Sequence, residues 1–256
     1  MHWVGEAKCS RALVERRFEL YCSKRRIPGV LWHPETAERS CPLVLIGHGA
    51  SLHKRTGYVV SMARRFVRNS GFAAVAIDGP VHGDRRSDGV LDEERTNRDF
   101  LDVWGEDSLV DDMIEDWRAT LDKVRGSTPF GNGPVGYWGV SMGTIFGLPL
   151  LVAEPRIRAA VLGLMGTIGP TAQRLAEDAA RVTCPVLFLQ QWDDELISRE
   201  LGLELFDKIA SRDKSLHIHP GAHSEIPLEE FTVSEKFLTR RLMAAAAASS
   251  DRTAES

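Results

Sequence analysis

The chain is short of cysteine, of basic surplus and of long apolar runs, and each shortage removes a class of protein. The four cysteines, Cys9, Cys22, Cys41 and Cys184, form no C-x-x-C pair. Three of them border strand-like runs, so they read as buried free thiols. A net charge of −4 and a pI near 6.1 argue against nucleic acid as a partner, because such binders concentrate basic surface. The one compact basic cluster, Lys24-Arg25-Arg26, reads as a solvated hairpin turn between strands at 17–22 and 28–32. No apolar stretch approaches the roughly eighteen residues of a membrane span. Residues 1–8 lack the apolar region of a signal peptide. The expectation is a reducing, cytoplasmic setting without a membrane partner, although a leader already removed would leave no trace.

What the sequence does contain is an alternation of strands and helices. Strand-like runs occupy 42–46, 72–77, 134–138, 159–164, 185–190 and 215–219. Between them, 58–68 sets Val59, Met62, Ala63, Phe66 and Val67 on one helical face before Gly71. A second helix, capped by Asp107 or Ser108, turns Leu109, Met113, Trp117, Leu121 and Val124 inward and ends at Gly126. Shorter helices are expected at 172–181 and after Ser198, with Leu201, Leu205 and Ile209 on a stripe. A last segment, 228–242, closes the fold. This order implies an α/β fold with a mostly parallel central sheet and helices on both faces. Residues 1–243 read as one domain, and 244–256, opening on five alanines, as a low-complexity tail that frays.

Gly139-Val140-Ser141-Met142-Gly143 is the stretch with the most chemistry in it. It is a G-x-S-x-G pentapeptide between an apolar strand and a helical run that contains Pro149. A serine there sits on a strained turn with its hydroxyl exposed at the top of the sheet. A serine needs a base, and the base an orienting acid. Asp193 and Asp194 follow the strand at 185–190, and His223 follows the strand at 215–219 within Pro220-Gly221-Ala222-His223. The gaps from Ser141 to the acid and from the acid to His223 each have room for helix-and-strand units.

With Leu45-Ile-Gly-His-Gly-Ala-Ser51 and Asp78-Gly-Pro-Val-His-Gly-Asp84, these blocks resemble the α/β-hydrolases. Within them the chain is similar to dienelactone-hydrolase-like serine esterases, over about residues 16–240. The resemblance implies a triad of Ser141, Asp194 and His223, with the oxyanion held by the backbone N–H groups of Met142 and Ala50. Losing one such donor raises the barrier by roughly 3 kcal/mol. Dienelactone hydrolases proper use a cysteine where this chain has Ser141, which favours ordinary ester chemistry. The family pattern sets a glycine three before the acid and an aliphatic residue three after it. Asp194 has Ile197 but Gln191 in the glycine position, and Asp193 would pair with Leu196, so spacing leaves both acids open. His48 and His82 read as loop-shaping residues rather than bases.

Two stretches bear on substrate. Residues 85–106 are long for a connection. Their Phe100 and Trp104, with Trp192 beside the acid, either wall a substrate pocket or pack on the core. The stretch 165–172 leaves no room for a large cap, so the site should be open. A rival constellation, His217, His219 and His223, has the H-x-H-x-x-x-H spacing of a zinc site, but no further ligand cluster is evident, so no metal is expected. The resemblance implies a carboxylesterase acting on small esters of short or medium acyl length without a cofactor, as a monomer or homodimer. Thioester, lactone, amide and C–C-bond hydrolysis run on the same triad, and a binding protein that keeps the fold without turnover is the alternative from another class.

Overall fold

The computed structural model describes residues 1–128, 130 and 132–254. The chain opens with β1 (His2–Ser10), β2 (Leu13–Cys22), β3 (Arg25–Pro34) and β4 (Leu43–Ile46). It continues through α1 (Gly57–Ser70), β5 (Ala73–Ile77), α2 (Glu93–Val103), α3 (Leu109–Ser127) and β6 (Val135–Trp138). Then come α4 (Met142–Ala153), β7 (Ile157–Gly163), α5 (Ala172–Ala179) and β8 (Val186–Gln191). The last elements are α6 (Arg199–Lys208), β9 (Lys214–His219) and α7 (Leu228–Ala254). The strands form one sheet ordered β1-β2-β3-β5-β4-β6-β7-β8-β9. From β5 to β9 neighbouring strands run parallel, and β1, β2 and β3 form an antiparallel meander on the β5 side.

Every residue of β4, β5, β6 and β8 is buried, as expected of strands covered on both faces. Alternate side chains divide between two cores. Leu43, Leu45, Val75, Ile77 and Tyr137 pack with α3 and α4 on one face. Val44, Ile46, Ala74, Ala76 and Trp138 pack with α1 and α7 on the other. The buried face of α1 is Val59, Met62, Ala63, Phe66 and Val67, and Gly71 ends the helix at φ 70°, as the periodicity requires. In α6, Ser198 Oγ accepts from Leu201 N, the usual service of a serine cap.

The sheet order places the site. The chain leaves β4 through α1 to β5, then passes back through α2 and α3 to β6 on the other side of β4. Since α1, which follows β4, and α4, which follows β6, lie on opposite faces, the loops leaving β4 and β6 part and open a crevice at the strands' carboxyl ends. Such switch points are where ligands bind in sheets of this kind. Ile46 lies opposite Trp138 in register, so Gly47 and Gly139 leave the sheet at one level.

Several elements depart from the sequence-based expectation. β1 is an added edge strand, paired only to β2 and mostly exposed, so it lacks an apolar alternation by which to be read. The stretch 85–106 is not one long loop. It contains α2, whose cap Asp92 accepts from Arg95 N at 2.7 Å. The helix α3 runs through Gly126 to Ser127, and Ser108 makes no side-chain cap hydrogen bond. The helix α7 continues through the alanines at 244–248, where fraying was expected, because alanine is the strongest helix former. Residues 255 and 256 of that tail lie outside the described residues. Arg25 is not a solvated turn residue, for its guanidinium pairs with Asp112, Glu115 and Asp116 of α3. Both hairpins of the meander turn on two residues with positive φ and no glycine: Arg11 at 52° and Ala12 at 60°, then Ser23 at 47° and Lys24 at 71°.

Leu238 of α7 is fully buried against the central strands, whereas Val233 is 37% exposed. Leu238→Ala should lower the unfolding free energy by about 2–5 kcal/mol, and Val233→Ala by well under 1 kcal/mol. Urea titration of the two variants reads the difference, and equal costs would contradict this packing of α7.

Candidate active site

Ser141 sits between β6 and α4 at φ 57°, ψ −123°. An L-residue there costs of the order of 1–3 kcal/mol and persists only where its surroundings over-determine it. Here they do. Ser141 N donates to Gly163 O at 2.9 Å, and Ser141 O accepts from Thr144 N at 2.7 Å. Thr144 Oγ1 donates to Gly163 O at 2.7 Å and accepts from Gly163 N at 2.8 Å, locking the first turn of α4 to the end of β7. Tyr137, fully buried in β6, donates its hydroxyl to Gly143 O at 2.6 Å. A Cβ at Gly139 would lie 2.7 Å from Tyr137 Oη, and Gly47 and Gly147 are likewise closed by that ring. The first glycine of the motif, with Gly47 and Gly147 outside it, is therefore fixed by a tyrosine two residues before the motif, a role the sequence does not signal.

The loop after β4 lies beside this turn: a Cβ on Gly49 would come 3.9 Å from that of Ser141. Its own shape is set by hydrogen bonds. Tyr58 Oη accepts from Gly49 N at 2.6 Å. His48 Nε2 accepts from Gly79 N at 2.8 Å, so its proton is on Nδ1, which donates to Gly49 O at 2.9 Å. Both nitrogens are used, and burial pushes the ring's pKa down to about 3. His48 thus shapes the loop as a neutral ring. His82, bonded through Nδ1 to Pro80 O and touching His48, is also pushed down to about 3 by burial. Asp78, at the end of β5, accepts from Lys54 N, Lys54 Nζ and Asp84 N. That joins the loops after β4 and β5. Among the described residues, the N–H groups of Ala50 and Met142 donate to no protein acceptor.

Ser141, Asp194 and His223 come together from three loops. His223 Nε2 lies 2.9 Å from Ser141 Oγ and its Nδ1 2.8 Å from Asp194 Oδ2. The other carboxylate oxygen, Asp194 Oδ1, accepts from Leu196 N and Ile197 N, each at 2.9 Å. Burial pushes the Asp194 pKa up, but the hydrogen bonds from His223 and these amides outweigh it and hold it below the usual carboxylate value. Asp193 faces elsewhere: its backbone N donates to Gly221 O and its Oδ2 accepts from Gly221 N. Gln191, in the family's glycine position, is buried and donates through Nε2 to Glu225 O at 2.7 Å and Ala222 O at 3.3 Å. Glu195 accepts from His223 N at 2.9 Å. Together these fasten the loop that presents His223 to the loop that presents Asp194.

The pocket residues separate. Phe100 is 1% exposed and packs among His82, Trp104 and Phe146. It belongs to the core, because α2 folds that face inward. Trp104 is half-buried, donates to Thr171 Oγ1 at 3.1 Å and lies on Gly169. Trp192 is exposed, with the Arg199 guanidinium 3.9 Å over its ring. Only eight residues, 164–171, separate β7 from α5, too few for a large cap. The three-histidine zinc set does not assemble as read. His223 is engaged with Ser141 and Asp194, and the group that joins His217 and His219 is Glu230 of α7, a residue the sequence spacing did not point to.

No family model matches the chain, and no curated protein matches it. Among solved structures it is similar to a cold-adapted esterase from an Arctic intertidal metagenomic library. The polyethylene-glycol-bound form of that esterase is 40% identical at TM-score 0.85, with 94% of this chain and 100% of that chain covered. The zinc-bound form is 37% identical at TM-score 0.80 with the same coverage. Est1E from Butyrivibrio proteoclasticus shares the fold at 16% identity and TM-score 0.65, covering 89% of this chain and 99% of that one.

The two buried rings give the loops an acid limit. His48 and His82 hold pKa values near 3 when folded against about 6.5 when unfolded. Between those values the unfolded chain takes up protons that the folded chain refuses. The stability the neutral rings supply is therefore complete above about pH 6.5 and falls as the pH drops toward 3, at about 1.4 kcal/mol per pH unit for each ring. Urea unfolding should lose roughly 2–4 kcal/mol between pH 7 and pH 5. An unchanged midpoint and slope over that interval would contradict the burial of these histidines as neutral groups.

Proposed function

This chain belongs to the α/β-hydrolase esterases and is an ester-hydrolysing enzyme, and we propose that it acts as a serine carboxylesterase through an acyl-enzyme on Ser141. The observation that carries this reading is the unbroken line of hydrogen bonds from Ser141 Oγ through His223 to Asp194. In the proposed reaction His223 Nε2 takes the serine proton as Oγ attacks the ester carbonyl. Asp194 keeps the ring in the tautomer that bears its proton on Nδ1, and stabilises the imidazolium that forms. The undonated N–H groups of Met142 and Ala50 hold the negative oxygen, where preorganised donors contribute most. His223 then gives its proton to the departing alcohol, and a water that it activates releases the acid.

The open surroundings support small esters of short or medium acyl length. Trp104 and Trp192 keep surface with which to contact them, and Phe100 is left to the core. The four cysteines, all free thiols, suit a reducing, cytoplasmic setting. No helix among the described residues is long and apolar enough to cross a membrane.

Fluorophosphonate labelling with peptide mapping should mark Ser141 alone. A label elsewhere, or none on folded protein, would overturn the serine mechanism. Asp194→Asn should lose on the order of 10⁴ in kcat through the wrong histidine tautomer, while Asp193→Asn keeps most of its activity. The reverse order would transfer the role to Asp193. Across p-nitrophenyl esters of rising acyl length, rates should peak at short or medium chains, and a preference for emulsified long-chain triglyceride would refute the small-ester reading.

A further inference from the structure

Seven carboxylates in the described residues are less than a tenth exposed: Glu15, Asp78, Asp116, Glu154, Asp178, Glu230 and Glu235. Six have a permanent cation beside them. Arg55 serves Glu15, Lys54 serves Asp78, Arg25 and Arg85 serve Asp116, Arg156 serves Glu154, Arg174 serves Asp178 and Arg65 serves Glu235. Glu230 is the exception among these seven; Asp194, whose side chain is 2% exposed, also meets an imidazole, that of His223, in the site already described. The Glu230 side chain is 2% exposed, and its ion-pair partners are two imidazoles, His217 and His219. A buried carboxylate is costly unless it is paired and hydrogen-bonded, and Glu230 turns both its oxygens to imidazole nitrogens, which are metal-ligand atoms.

We propose that His217, His219 and Glu230 form a binding site for one divalent transition-metal ion, of which zinc is the best fit. His217 and His219 are two apart on β9 and so face one side of the strand. Glu230 reaches the same point from the first turn of α7. Glu230 oxygens lie 3.2 Å from His217 Nδ1 and 2.7 Å from His219 Nε2, and the three ligand atoms fall within 4.8 Å of one another. A tetrahedral zinc about 2.0–2.2 Å from such ligands spaces them roughly 3.4 Å apart, inside that range. Two imidazoles and one carboxylate suit zinc and its neighbours rather than magnesium or calcium, which want oxygen alone. The histidine side chains are 36% and 24% exposed, so an ion can enter from solvent and complete its shell with water.

The place of the site gives it a purpose. His219 ends β9 and Glu230 begins α7, and the segment between them, 220–229, carries His223. An ion there clasps both feet of that loop. It is a structural clasp: Ser141, Asp194 and His223 contribute no ligand to it, and the proposal does not depend on the mechanism assigned to them.

The test is zinc chloride titrated into chelator-stripped protein by calorimetry, with thermal unfolding followed in parallel. The unaltered chain should bind one zinc per chain and rise in Tm. His217→Ala, His219→Ala and Glu230→Gln should each weaken binding at least tenfold, consistent with a lost first ligand. His223→Ala should bind as the unaltered chain does. Magnesium chloride should neither bind nor raise Tm. Cobalt in place of zinc should give the visible absorption of a four-coordinate centre, lost in His219→Ala. If Glu230→Gln fails to fold, the two partly exposed histidine variants still decide. Absence of stoichiometric zinc binding overturns the proposal. So does binding lost in His223→Ala but kept in His219→Ala, which would put the ion on the triad instead.

Discussion

The backbone of Ser141 is held in a conformation that no L-residue takes willingly, and the architecture around it is arranged to keep it there. Thr144 ties the helix that follows to the neighbouring strand end, and the Tyr137 ring fills the space that side chains at Gly47, Gly139 and Gly147 would need. The sharp turn presents the hydroxyl at a crevice that exists only because the sheet order reverses beside β4. Strain at one residue and topology of the whole sheet are thus two parts of one device. The first aims a side chain, and the second leaves space in front of it.

Around that point four loops are bound together in two pairs rather than left to find their positions. Lys54 and Asp78 join the loops after β4 and β5, and His48 bridges them as a neutral ring. Gln191 and Glu195 fasten the histidine loop to the acid loop. In the proposed mechanism, ordering these segments before substrate arrives removes conformational freedom that the reaction would otherwise have to restrict. The Gln191 side chain shows how a departure from a family pattern can be absorbed. Where the pattern has a glycine, this chain puts an amide that supplies donors to two carbonyls of the facing loop.

Much of this was legible in the sequence where a local rule governs. The face of α1 followed from periodicity, its end from Gly71, and the start of α6 from Ser198. Ser141, Asp194 and His223 were readable because each follows a strand of an alternating fold. What was not legible depends on contacts distant in the chain. β1 is exposed and is ordered by pairing with β2. The charged composition of α2 disguised a helix whose inward residues are Thr96 and Phe100. Arg25 reads as a turn residue until α3 brings three carboxylates to it. Glu230 follows the histidine loop by only a few residues, yet nothing in spacing says that its carboxylate turns back onto β9.

The two hairpins of the meander have a consequence for how this protein could change over time. Turns of their kind favour Asn-Gly and similar pairs, yet this chain bends on Arg11-Ala12 and Ser23-Lys24. Each of those residues holds a backbone shape that costs an L-residue of the order of 1–2 kcal/mol. Between β2 and the strand leading to Ser141 stand β3, β5 and β4. The fold therefore keeps an unused thermal reserve in its meander, where substitution can harden the scaffold while the turn at Ser141 stays as it is.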